Sequence, residues 1–262
     1  MTTAPRRLRR SRVLEALRAG RSATCFKLNL SDARVAEIVA MEGVDAIWLC
    51  QEHVPSDWIN LEHQIRAARL HDADAFVRVA KGGYSNYVRP FEAGAAGIMV
   101  PHVTTADEAR QIVEWARFMP VGRRALDGGN TEGAYCSVPT GDYIAHTLRE
   151  QFVVLQIESP EGLANVEEIA AVPGFDLFCF GPGDYAHRVG KPGQVSDPEV
   201  VEARQRVARA ARAHGKWAMA AGMLAPRAAL EQEGHALFSR GADVIAVAEG
   251  ARRAVKNFHE AG

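Results

Sequence analysis

Val153-Val154-Leu155-Gln156-Ile157-Glu158 and Asp176-Leu177-Phe178-Cys179-Phe180 decide the architecture. Both runs are continuously apolar rather than alternating, the pattern of parallel strands covered on both faces. Each passes into a turn-forming segment, Ser159-Pro160-Glu161-Gly162 after the first and Gly181-Pro182-Gly183-Asp184 after the second. Working outward, runs of the same kind recur at Thr24–Asn29, Asp45–Cys50, Ala75–Val79, Gly97–Val100, Trp217–Ala221 and Asp243–Val247. Amphipathic stretches lie between them. Ser31 to Met41 opens on a Ser-Asp pair suited to N-capping, Thr104 to Trp115 has Thr105 with Glu108 three residues on, and Ser196 to His214 and Pro226 to Ser239 read as long helices. Gly43, Gly94, Gly174, Gly215 and Gly241 each precede a strand, where a helix end favours glycine.

Eight strands alternating with helices predict an α/β fold, a (β/α)8 TIM barrel spanning 1–262 as one domain, with an N-terminal arm and helix over 1–20. The rival, an open doubly wound sheet, calls for a Gly-rich dinucleotide fingerprint, and neither that nor a Walker-type loop occurs. The interval from Val100 to Val153 holds Pro120, Gly122, Gly128, Gly129, Gly133, Pro139 and Gly141, the density of breakers expected of an excursion over one mouth of the barrel.

Composition narrows the class. The 262 residues are 47% hydrophobic, with 31 Lys+Arg against 32 Asp+Glu, a net charge of −1 that lacks the electrostatic footprint of a nucleic-acid binder. No stretch approaches the roughly 20 apolar residues of a membrane-spanning helix. Arg6, Arg7, Arg9 and Arg10 precede no secretory core; they read as a solvated arm, with an organellar leader as the alternative. Cys25, Cys50, Cys136 and Cys179 form no pairing pattern and fit reduced thiols in a cytoplasmic protein.

In such a barrel chemistry gathers at the C-terminal strand ends. There strand two delivers Glu52-His53, strand three Arg78, strand five Gln156 and Glu158, and strand six Asp184. Two carboxylates without a His/Cys cluster suit a hard divalent cation, Mg²⁺ or Mn²⁺, with Co²⁺ as a further option. Arg78 suits an oxyanion or carboxylate, His53 proton transfer, and the Gly181-Pro182-Gly183 turn an anion. Together they describe enolate chemistry on a 2-keto acid. Taken singly, each has a plainer reading: Glu158 as a helix-start residue, Asp184 as a cap, Arg78 as an ion-pair former and His53 as a buried histidine. His63, His71, His102, His146, His187, His214, His235 and His259 show no ligand spacing and read as structural.

Glu52-His53, Val77-Arg78-Val79, Gly97-Ile98-Met99-Val100-Pro101, Gln156-Ile157-Glu158 and Gly181-Pro182-Gly183-Asp184 resemble the motifs of the HpcH/HpaI aldolases, in order and spacing over about Cys25 to Gly250. Ala36-Glu37, Glu108-Ala109-Arg110 and Pro120-Val121-Gly122-Arg123-Arg124 extend the likeness. The resemblance implies a class II aldolase acting on a keto acid and an aldehyde, assembled as a hexamer (a trimer of dimers) that exchanges its last helix. It implies a divalent ion at Glu158 and Asp184, Arg78 on the keto or enolate oxygen, His53 as the proton-transfer residue, and Gln156 and the Gly183 N–H beside the donor. Cys50 stands where the family has Asp, Glu92 where an acid supports the histidine, and Arg124-Ala125 where Arg-Gly is usual. Acceptor contacts are expected from the loop around Asp127–Val138. Two other readings keep the pocket: an acyl-CoA lyase, with the N-terminal arginines or Arg123 and Arg124 as weak phosphate contacts, and a non-catalytic keto-acid binder.

Overall fold

The computed structural model describes residues 8–222 and 224–260. The chain runs α1 (Arg12–Arg18), β1 (Ala23–Lys27), α2 (Ala33–Met41), β2 (Ala46–Cys50), α3 (Trp58–Leu70), β3 (Asp74–Arg78), α4 (Tyr84–Glu92), β4 (Gly97–Val100), α5 (Ala106–Ala116) and α6 (Thr140–Glu150). It continues β5 (Phe152–Ile157), α7 (Pro160–Ala164), α8 (Val166–Ala170), β6 (Leu177–Phe180), α9 (Pro182–Arg188), α10 (Pro198–Ala213), β7 (Trp217–Ala220), α11 (Arg227–Glu233), β8 (His235–Ala242) and α12 (Asp243–Glu260). The eight strands pair in sequence order, all parallel, and β8 closes on β1. The architecture is therefore the closed α/β barrel expected.

Period-two alternation along each strand splits the apolar residues into two cores. Cys25, Trp48, Phe76, Met99, Val154, Cys179, Met219 and Leu237 fill the barrel interior, and Val13, Leu14, Ala16 and Leu17 of α1 belong to the same cluster. Ser11 caps α1, and its hydroxyl donates to Asp74 at the first residue of β3, so the helix plugs the N-terminal end. The outward residues, such as Ile47, Val77, Ile98, Val153 and Phe178, pack under the surrounding helices. The capping expectations hold locally: Asp32 caps α2, and Thr105 caps α5 while Glu108 reaches back to the Thr104 N–H.

Two expectations are corrected. The eighth strand is His235–Ala242, not Asp243–Val247, which begins α12 instead. The helix read over Pro226–Ser239 stops at Glu233 because Gly234 takes a left-handed conformation at φ 109°. Gly241 lies inside β8, where a side chain would strike the Phe26 ring. The Val244-Ile245-Ala246-Val247 run misleads because its hydrophobicity is not spent inside the barrel: Val244, Ile245 and Val247 are exposed on α12.

The breaker-rich interval also has a definite location. Arg117 donates to the carbonyls of Gln151 and Gly174, just ahead of β5 and β6, and Glu132 accepts from the Gln151 side chain. The loop thus packs at the N-terminal mouth, away from the C-terminal strand ends of its own barrel.

Candidate active site

Inward-facing residues at the C-terminal ends form the floor of the opposite mouth. Lys27 ends β1, Cys50 ends β2, Arg78 ends β3, and Gln156 and Glu158 come from the end of β5. Cys50 and Arg78 are register partners, which brings their side chains together.

Arg78 is 5% exposed, and its Nε and Nη2 both donate to the Cys50 sulfur, at 3.4 and 3.3 Å. Its Nε also lies 3.0 Å from Glu52 Oε2, yet that oxygen is buried without a hydrogen-bond donor. The Nε–H is directed at the sulfur, so the Glu52 contact is an ion pair and the Cys50 contact the directed bond. The Arg78 guanidinium further lies 5.2 Å from the centroid of the Trp48 ring. His53, in the loop after β2, is largely exposed, and its Nε2 is 3.6 Å from Glu52 Oε2. With Cys50 committed to Arg78, the carboxylate beside His53 is that of Glu52.

Glu158 is 1% exposed and surrounded by donors. Gln156 Nε2 donates to Oε2 at 2.6 Å, and the His102 backbone N–H donates to Oε1 at 2.8 Å. Burial raises the Glu158 pKa above the usual carboxylate range; His102 opposes the shift, while Asp184 and Glu52 add to it. Asp184 sits in the first turn of α9 behind Gly181 and Gly183. A side chain at Gly181 would collide with Glu158 and Gln156, so glycine lets α9 start directly against β5.

His102, read as structural from the sequence, belongs to this site. It follows β4, adopts φ 54°, and places Nδ1 2.9 Å from Glu158 Oε1 and Nε2 3.0 Å from Glu52 Oε1. Lys81 donates to its carbonyl at 2.6 Å. The signal was available: Pro101-His102 follows strand four as directly as Glu52-His53 follows strand two. Lys27 was missed in the same way on strand one.

Other expected residues lie elsewhere. Glu92 ends α4 on the side where β4 begins, among Arg124, Glu132, Asp127 and Arg89, and does not meet His53 within this chain. Arg124 is buried against Glu132, and Arg123 is exposed near Glu114, so neither faces the mouth. Arg9 pairs with Asp72 and Asp74 at the N-terminal end, and Arg6 and Arg7 lie outside the described residues. His235 and His146 are held by backbone carbonyls, and burial lowers the pKa of each.

The donor set fits a hard cation. Glu158 at the end of β5 and Asp184 in the first turn of α9 bring two carboxylates to the same mouth, and the Gln156 Oε1 next to Glu158 is buried without a partner. Among the described residues no three His, Cys, Asp or Glu side chains converge as a complete ligand set, so water and substrate oxygens would supply the remaining positions. Among the same residues no helix is long and apolar enough to cross a membrane.

Known proteins resemble this chain over most of its length. The chain is 37% identical over 193 residues to the hydroxypyruvate/pyruvate aldolase of Delftia acidovorans, covering 73% of this chain and 70% of that one. It is 34% identical over 211 residues to the 5-keto-4-deoxy-D-glucarate aldolase of Klebsiella pneumoniae, covering 80% and 79%. The crystal structure of an HpcH/HpaI aldolase from Desulfitobacterium hafniense superposes with a TM-score of 0.87 at 27% identity, over 94% of this chain and 96% of that one. The family model for HpcH/HpaI aldolase/citrate lyase matches residues 23–249. A match that begins at the first residue of β1 and runs into α12 means that the chain belongs to the HpcH/HpaI aldolase/citrate lyase family.

Proposed function

We propose that the protein is a class II aldolase that makes and breaks the C3–C4 bond of 4-hydroxy-2-keto acids, through the enolate of a pyruvate- or hydroxypyruvate-type donor. The observation that carries this reading is the convergence of a buried Glu158, its neighbour Asp184 and a buried Arg78 at one barrel mouth. Relatives named as aldolases of hydroxypyruvate or pyruvate and of keto-deoxy sugar acids support it. This family is generally dependent on a divalent metal. Glu158 and Asp184 would hold the ion, Mg²⁺, Mn²⁺ or Co²⁺, which when bound polarises the keto group and stabilises the enolate.

The chain's own groups divide the remaining work. Arg78, fixed by Cys50, Glu52 and Trp48, presents a permanent positive charge to the oxygen on which enolate charge develops. His53, exposed at the mouth beside Glu52, takes the C4 hydroxyl proton in cleavage. The C3–C4 electron pair then moves to the enolate, the aldehyde departs, and C3 is protonated. Gln156 fixes the Glu158 carboxylate, and the Gly183 N–H, in the first turn of α9 where no intrahelical acceptor exists, is free for the donor carboxylate. The test is retro-aldol cleavage of 4-hydroxy-2-keto acids with added Mg²⁺ or Mn²⁺. Arg78→Lys, which keeps the charge but loses the fork, should lower kcat by about 10²-fold. Full activity in that variant, or no cleavage by the wild type, contradicts the reading.

The same reading includes assembly. α12 is an 18-residue helix on which Asp243 alone is buried, and Val255 and Phe258 near its end are exposed with Val244, Ile245 and Val247. An apolar helix face of this kind calls for a cover, and exchange between partner barrels in a hexamer supplies one. Light scattering on Phe258→Glu should show a smaller species than the wild type.

A further inference from the structure

Arg69 stands in the last turn of α3, and its half-buried side chain lines a cavity at the N-terminal mouth of the barrel. Gly94, at φ 99° ahead of β4, makes room for it, because a Cβ there would strike Arg69 Nη1. Burial, together with the neighbouring Arg9, lowers the Arg69 pKa, and Arg66 acts in the same direction. Among the described residues Arg69 has no carboxylate partner, because those nearby are taken. Asp72 and Asp74 hold Arg9, Glu62 holds Arg66, and Glu132 holds Arg124. Glu150 accepts from Arg149 and from the Ser11 N–H. The ion pairs of this mouth therefore close around Arg69 and leave it out.

The cavity beside it measures ≈ 150 Å³ and lies between the end of α3, the entry to β4 and the 131–134 segment. That is well above the space a single water needs. Leu8, Ala95, Ala96 and Ala134 supply apolar wall, and Glu132 and Glu150 supply negative charge. A guanidinium without a partner offers a planar fork that matches two carboxylate oxygens. The acidic wall disfavours a multiply charged anion, and the apolar wall accommodates a short carbon chain.

We propose that Arg69 and this cavity bind a small monocarboxylate, at a site on the N-terminal mouth separate from the chemistry at the C-terminal strand ends. The ligand supplies the counter-charge that the fold withholds from Arg69, and it favours the folded chain by mass action. The inference stands without the aldolase reading, since it uses none of the residues at the C-terminal mouth.

Urea unfolding in the presence of chelator, with propionate replacing chloride at constant ionic strength, tests it. The wild-type midpoint should rise saturably with propionate. Arg69→Met keeps the apolar stem and removes the charge, and should weaken the apparent affinity by about tenfold or more. Without propionate this variant should unfold at a midpoint no lower than the wild type, because it loses an uncompensated charge. A lower midpoint marks a merely structural arginine and overturns the proposal. Arg78→Lys should respond to propionate as the wild type does, which separates this site from the other mouth. No saturable response in the wild type, an equal response in Arg69→Met, or a response lost in Arg78→Lys also overturns it. A response to inorganic phosphate but not to propionate overturns the carboxylate class. A crystal structure of the wild type with propionate needs no variant: the carboxylate should lie on Arg69, and propionate bound only at the C-terminal mouth contradicts the assignment.

Discussion

The His102 Nδ1 lies 2.9 Å from Glu158 Oε1, and the backbone N–H of the same residue donates to that oxygen at 2.8 Å. One residue thus addresses a single carboxylate oxygen twice, while its other ring nitrogen reaches Glu52. His102 orients the carboxylate proposed as a metal ligand, and removal of such outer partners typically costs about 10–100-fold in metal affinity. His102→Asn tolerates the left-handed backbone but is too short to span both carboxylates. Calorimetric titration with Mn²⁺ should show affinity weaker by about tenfold or more; an unchanged Kd would show that His102 does not position Glu158.

The loop at the opposite mouth depends on a buried ion pair. Arg124 donates to Glu132 at 2.8 and 2.5 Å, lies over the Phe118 and Phe91 rings, and has a side chain 1% exposed, while Tyr143 donates to the same carboxylate. Removing one partner leaves an uncompensated buried charge. Glu132→Ala should therefore destabilise the protein by about 3–5 kcal/mol in urea unfolding. A loss of under about 1 kcal/mol would mean that water replaces the carboxylate.

Acid should weaken the fold before carboxylates protonate. Burial depresses the pKa of His146 and His235 below the ordinary histidine value of about 6.5, so the folded state prefers both neutral. Their contribution is complete above the unfolded value and is lost as pH falls through about 6.5 toward the depressed folded values. The urea midpoint should drop between pH 7.5 and roughly pH 5.5 in the wild type and drop less in His146→Gln/His235→Asn. Equal slopes in the two proteins would assign the pH dependence to other groups.

Seven strands were legible because nearly all of them are continuous apolar runs buried on both faces; β1, which carries Thr24 and Lys27 and is only partly buried, is the weakest case. The eighth was not, because Ala236-Leu237-Phe238 runs straight on from a helical pattern and the more apolar β-branched run after Asp243 competes with it. Glu158, Asp184, Arg78 and His53 were visible as chemistry-bearing residues at strand ends. Lys27 and His102 occupy equivalent ends of strands one and four, so the same rule, applied to every strand, reaches them. What sequence alone does not carry is commitment between distant groups. That Cys50 serves Arg78 while Glu52 faces His53 depends on the register of β2 against β3. Likewise, the glycines and prolines of the 117–139 loop mark an excursion, but its mouth is set by contacts of Arg117 and Glu132 with Gln151.

The central claim is enolate formation supported by Glu158, and C3 hydrogen–deuterium exchange of pyruvate, followed by NMR without any aldehyde, tests it most directly. The account predicts exchange that requires added Mg²⁺, stops with chelator, and falls by at least about 10²-fold in Glu158→Gln. Exchange that proceeds equally in chelator-treated protein and in Glu158→Gln would contradict it.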